Sequence, residues 1–171
     1  MKLSAADRLS ALPASSLLRL AAPDGATAAV HLHGATVVSW VPSAAAGERL
    51  FVSSAAALDG SAPVRGGIPL AFPRFAAGLP SRAASAGAAM PFHGFARNAD
   101  WRVVSSAPGG AELALDGDAV RAPRARWRAG AAARRAQYSL RRPALFLRAG
   151  RRRCGVCGLA ARLLAAPGRF L

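Results

Sequence analysis

TAAVHLHGATVVSWVP, Thr27 to Pro42, decides the fold class. Its first half alternates, with Ala28, Val30 and Leu32 on one face and Ala29, His31 and His33 on the other. That period of two predicts a half-buried strand, not a helix. After Gly34 the run Thr36 to Val41 is rich in β-branched residues and stops at Pro42. Working outward, RLFVSS (Arg49 to Ser54), WRVVSS (Trp101 to Ser106) and AELALD (Ala111 to Asp116) read as further short strands. Pro108-Gly109-Gly110 marks the turn between the last two. Strands at this spacing from Leu17 to about Leu115, with no long amphipathic helix between them, predict a mainly β protein built as an antiparallel sandwich.

The chain has 171 residues, the size of one domain or of part of a larger one. Its net charge of +15 resembles a nucleic-acid signature until it is divided along the chain. Residues 1–120 carry nine Lys or Arg against all eight acids. Residues 121–171 carry the other fourteen basic residues, every one Arg. Three origins for this tail stay open: a disordered arm that binds nucleic acid through phosphates, a helix with a solvated basic face, or translation of a shifted frame in a GC-rich gene. The absence of Lys and the scarcity of aromatic residues favour the shifted frame. The expected division is an N-terminal extension at 1–11, a β-sandwich segment at 12–120 and the arginine-rich tail at 121–171. Cys154 and Cys157 form a CxxC pair, but a structural zinc site needs four ligands and no His follows, so no metal is expected. No apolar run is long enough to span a membrane, and Asp7 argues against a transit peptide, so a cytoplasmic monomer is expected.

VRGGIPLAFPRF, Val64 to Phe75, sets one cation, Arg65, directly before Gly66 and Gly67. Gly-Gly suits a surface loop with φ > 0, and it equally suits a backbone that a ligand approaches closely beside a forked guanidinium.

Three stretches belong together: GATVVSWVP (Gly34 to Pro42), PVRGGIPLAFPRF (Pro63 to Phe75) and PFHGFARNADW (Pro91 to Trp101). In order and spacing, with Leu50, Phe51 and Ser53 between the first two, they resemble the glucose-6-phosphate 1-epimerases, the hexose-phosphate mutarotases of the galactose-mutarotase-like fold. The resemblance runs from about residue 12 to residue 120. It implies the N-terminal part of a large antiparallel β-sandwich, and interconversion of the α and β anomers of a hexose 6-phosphate by a general acid and a general base that open and reclose the ring. No cofactor is implied.

Carried onto this sequence, Arg65 and Arg97 match arginines that bind the substrate, as two forked cations suit a dianionic phosphate. His93 either donates to a sugar hydroxyl or caps a turn before Gly94. Phe92 stands where some members carry a Gln that touches the ligand. Arg74 and Ala76 stand where many relatives have Gln and Gly. The family's catalytic His and Glu lie in downstream stretches with no counterpart here, because no His follows His93 and no carboxylate side chain follows Asp118. No catalytic residue is therefore assigned, and the chain as given is expected to be a truncated, inactive relative. The alternative is a non-catalytic sugar-phosphate module whose basic tail binds nucleic acid.

Overall fold

A computed structural model describes residues 4–72, 75–76, 91–115, 134–141, 144–151 and 159–164. The Thr27 to Pro42 stretch forms the centre of the first sheet. Strands β1 (Leu17–Ala21), β2 (Thr27–His31) and β3 (Thr36–Val41) pair antiparallel in chain order. In the turn between β1 and β2, Gly25 takes φ 84° and the Asp24 carboxylate accepts the Ala26 N–H at 3.1 Å.

β2 is more enclosed than a half-buried strand, since its residues from Ala28 to His31 are all buried. Each of its faces has its own cover. Ala28 and Val30 join one core, while Ala29 joins another. A β-bulge keeps β3 in step with this. Ala29 pairs with Ser39 but Val30 pairs with Val37, so Val38 is the extra residue. The bulge resets the alternation: Val37 and Trp40 both face the first core although they are three residues apart, and Val38 faces the second.

The first core is shared with a second antiparallel sheet, of β4 (Arg102–Ala107), β5 (Gly110–Leu115), β6 (Arg134–Arg141), β7 (Ala144–Arg151) and β8 (Leu159–Leu164). Ala111, Leu113 and Leu115 of β5 meet Leu20, Val30, Val37 and Trp40 of the first sheet, with Trp101 and Phe95 beside them. The antiparallel sandwich expected from the sequence is thus present. Pro108 and Gly109, the latter at φ 74°, close the β4–β5 hairpin, and the Gly109 N–H reaches back to the Ala21 carbonyl at 2.8 Å.

The second core lies on the other side of β2. Leu17, Val38, Val52, Ala56, Leu58 and Val64 form it, with Leu9 and Leu12 packed against them. Leu9 belongs to the short helix α1 (Ala5–Ser10), whose capping box pairs Ser4 with Asp7. Arg8 donates to the carbonyls of Ser54 and Ala56, and Arg19 donates to those of Leu9, Ser10 and Leu12. The first residues are thereby fastened to the sheet. Among the described residues no helix is long and apolar enough to cross a membrane.

Two expectations need correction or placement. Arg49 to Ser54 is not a strand: only Val52 pairs, in an isolated bridge to Gly66, and Phe51 is 78% exposed. Its backbone bonds are scattered: Phe51 accepts from Gly67, Ser53 donates to Arg65, and the Glu48 carboxylate accepts the N–H groups of Trp40, Arg49 and Leu50. The segment expected to be disordered or out of frame includes β6, β7 and β8, which extend β5 by antiparallel pairing from Gly110↔Ser139 to Leu115↔Arg134 and onward. Cys154 and Cys157 lie outside the described residues.

Gly66 and Gly67 are where the fold tolerates least. Gly66 has φ 116° and Gly67 has φ 64°. A Cβ on Gly66 would come within 2.7 Å of the Val52 Cα, and one on Gly67 would collide with the Val37 carbonyl. Gly67→Ala is therefore expected to cost more than about 2 kcal/mol, from the clash together with the left-handed backbone. Gly47 has nothing within 4 Å, so Gly47→Ala is expected to stay within about 0.5 kcal/mol of the parent. Urea unfolding midpoints of the two variants check this, and equal midpoints would remove the claim.

Candidate sugar site

The three sequence stretches singled out above meet through main-chain bonds. Val37 and Ile68 exchange N–H···O bonds of 3.1 and 2.8 Å, and the Gly67 N–H reaches the Phe51 carbonyl at 2.8 Å. Further along, the Phe72 carbonyl accepts the N–H groups of Phe95 at 2.9 Å and Ala96 at 3.3 Å. The loop then returns to the β2–β3 turn, where Gly34 donates to Ala99 at 2.8 Å and Trp101 to Leu32 at 3.0 Å. Gly34, at φ 79°, is needed at this closure because a Cβ there would lie 2.7 Å from the Arg97 carbonyl oxygen. Gly66 and Gly67 serve the same end. Both take the positive φ that a Gly-Gly turn suggests, and both also abut neighbouring backbone.

Arg65 follows buried Val64 and is exposed; its carbonyl accepts the Ser53 N–H at 3.0 Å. Arg97 sits in a single 3₁₀ turn, Ala96–Asn98, supported by a 3.0 Å bond from the Trp101 indole N–H to the Ala96 carbonyl. The residue is partly buried, yet its Nε is buried and meets no hydrogen-bond acceptor among the described residues. A buried N–H of this kind costs about 1–3 kcal/mol while unpaired. Arginine does not shed the proton to escape that cost.

His93 holds a turn through its ring and its main chain. At φ 64° it faces Ala76 at φ 53°, and the two exchange bonds: His93 N–H to the Ala76 carbonyl at 3.0 Å, Ala76 N–H to His93 Nδ1 at 2.9 Å. Nδ1 is the acceptor, so the proton of the neutral ring sits on Nε2. The imidazole is flanked by Phe92 at 4.2 Å and Phe75 at 4.8 Å between ring centroids.

Residues given no role from sequence also gather here. The His33 Nδ1 donates to the Asp100 carboxylate at 2.7 Å, spanning the same turn-to-loop closure as Gly34 and Ala99. The two residues are 67 apart in sequence, and only their positions at the ends of quoted motifs could have paired them. Buried His31 lies between the carbonyls of His33 at 3.2 Å and Leu58 at 3.1 Å, of which a neutral ring satisfies one as donor. Near His33, the Ser61 hydroxyl at 2.6 Å and then the Ser61 N–H at 3.0 Å hold the Asp59 carboxyl below its ordinary pKa, with a small pull from His33. A groove of about 380 Å³ runs beside α1, lined by Leu9, Arg19, Val38, Glu48 and Leu50, but Arg65, His93 and Arg97 do not line it.

Two measurements test these assignments. Ala76→Gly relieves a left-handed alanine and is expected to stabilise by about 0.5–1 kcal/mol after the added chain entropy of glycine; a lower urea midpoint would contradict that. A depressed carboxyl stabilises above the ordinary Asp range and loses that contribution as pH falls through its lowered value. Ser61→Ala should therefore raise the Asp59 midpoint in a carboxyl NMR titration. An unmoved midpoint would show that Ser61 is not the cause.

Comparison with known proteins agrees with the fold. Residues 16–120 match the aldose 1-epimerase family. Among solved structures, the Slr1438 protein from Synechocystis sp. PCC 6803 superposes with a TM-score of 0.60 at 23% identity, over 78% of this chain and 47% of that one. A galactose mutarotase-like protein from Lactobacillus casei gives 0.57 at 18% identity, over 78% of this chain and 42% of that one. A galactose mutarotase related enzyme from Lactobacillus acidophilus gives 0.53 at 17% identity, over 79% and 43%. The chain thus spans less than half the length of these structures, and at such identity they establish the fold alone. With the family match covering most of the chain, from the first strand through the motif cluster to the end of β5, the protein belongs to the aldose 1-epimerase family.

Proposed function

We propose that the motif cluster binds a hexose 6-phosphate, with Arg65 and Arg97 taking its oxygens and the Nε2–H of His93 donating to a sugar oxygen. The buried, acceptor-less Nε of Arg97 carries this reading. An unpaired buried donor is costly, and a phosphate or hydroxyl oxygen that enters the plane of the guanidinium as the side chain shifts would pair it with a charge-assisted bond. The fixed tautomer of His93 adds a second, neutral donor on the same loop, four residues earlier. Charge on the arginines and a directed N–H on the histidine together suit a ligand with one anionic end and a polar ring.

The reaction class that goes with the family is isomerisation at the anomeric carbon. A base removes the anomeric hydroxyl proton while an acid protonates the ring oxygen, so two proton-transfer groups must stand on opposite sides of the sugar. Beyond Asp118 the sequence offers neither a carboxylate nor a histidine side chain. Upstream, His93 spends Nδ1 on Ala76, and His33 spends Nδ1 on Asp100. The 171-residue chain accordingly binds the sugar phosphate without accelerating its anomerisation.

Titration of the full chain with glucose 6-phosphate, followed by calorimetry, tests the clamp. Arg97→Lys keeps the charge but removes the Nε–H, and is expected to weaken binding about tenfold, the order of one charge-assisted bond. Unchanged affinity would rule Arg97 out as a ligand contact. For the same chain, exchange spectroscopy between the two anomers is expected to give the buffer rate. A clear acceleration would overturn the non-catalytic assignment.

A further inference from the structure

Phe75 and Phe92 are 75% and 56% exposed, an unusual state for two phenyl rings that flank one imidazole. Each ring contacts that of His93, at 57° and 71°, so the three make one aromatic group. The group is held by the Ala76–His93 exchange of hydrogen bonds, which keeps two non-glycine residues at positive φ. Such a backbone conformation is strained and persists where the surroundings enforce it. The arrangement is thus fixed in place while its apolar faces stay in water.

We infer that Phe75 and Phe92 form a platform on which the apolar C–H face of a pyranose stacks, with the Nε2–H of His93 fixing the position of the ring. This rests on the sugar-phosphate site proposed above. The occupant follows from the mixture of groups. A bare phosphate has no use for two phenyl rings. A purely apolar partner would bury the His93 N–H without an acceptor. The patch is also far smaller than a stable protein interface needs. A pyranose has an apolar C–H face bounded by hydroxyl oxygens and matches both the rings and the donor. The consequence is a preference for the closed sugar over its open chain. Phe51 is exposed too, but it makes no ring contact with the group and is not part of it.

The test compares glucose 6-phosphate with sorbitol 6-phosphate, which keeps the phosphate and hydroxyls but has no ring. Affinities are measured by calorimetry on the full 171-residue chain and on Phe75→Leu, Phe92→Leu and the double variant. Leucine preserves apolar bulk at these exposed positions and removes only the aromatic face. The parent is expected to bind glucose 6-phosphate about fivefold more tightly than sorbitol 6-phosphate, the order of one aromatic contact. Each single variant should lower that ratio and the double variant should bring it to about one, with sorbitol 6-phosphate affinity unchanged. Equal losses for both ligands would make the rings structural and overturn the inference, as would a ratio that the variants leave untouched. If the parent binds both ligands equally, stacking fails while the phosphate clamp survives. If it binds neither, both the platform and the proposed site are overturned.

Discussion

The close contact of the Gly66–Gly67 backbone with Phe51, Val52, Val37 and Val38 is the constraint on which the remaining structure depends. No side chain fits between these segments. Because they touch through main chain alone, Ile68 can exchange two hydrogen bonds with Val37, and the run from Gly66 to Phe72 is laid along the edge of the first sheet. From that line Phe72 receives the Phe95 N–H, and the loop bearing His93 and Arg97 is carried back to Gly34. Each of these steps is a backbone contact, and glycine stands at the two places where the approach is closest.

The same geometry explains how one strand serves two cores. β2 is covered on both sides, and its neighbour must present apolar residues to both. Strict alternation in β3 would send Val37 and Trp40 to opposite faces. The extra residue at Val38 corrects this, placing Trp40 with Val37 over β5 while Val38 itself packs toward α1. A bulge commonly costs a ladder bond. Here it lets the sandwich core and the α1 side be filled from one strand, which holds the β2–β3 turn rigidly enough to anchor the ligand loop.

Much of this was legible in the residues, for identifiable reasons. The face assignment of Ala28 and Val30 against Ala29 followed from alternation alone, and the β4–β5 hairpin from Pro108-Gly109. What failed was local. Leu50-Phe51-Val52 has strand composition, but the Glu48 carboxylate takes three nearby N–H groups and Gly66 claims Val52, so only a single bridge forms. The positive φ of Gly66 and Gly67 could be expected from sequence, but the partners of their backbone, in β3 and in the Phe51 segment, could not. Arg97 was picked out by its motif, while the property that makes it informative, a buried Nε with no acceptor, exists only in three dimensions. His33 and Asp100 were both in view and could not be joined without the closure that brings them to 2.7 Å.

Placing the loop through main-chain bonds has a chemical consequence for the side chains it carries. If the Arg97 side chain were needed to hold the loop, its polar atoms would be consumed by the fold. Instead the loop is held by Phe72, Gly34, Ala99 and Trp101, and the Arg97 Nε keeps no partner. His93 contributes Nδ1 to the turn and in doing so places the proton of the neutral ring on Nε2. Positions 76 and 92 are then free to differ from the family pattern. Ala76 accepts a strained φ in place of glycine because its two bonds to His93 hold it there, and Phe92 changes what lies beside the donor without moving the donor. A scaffold that spends its backbone on placement leaves its side chains to set which ligand is held.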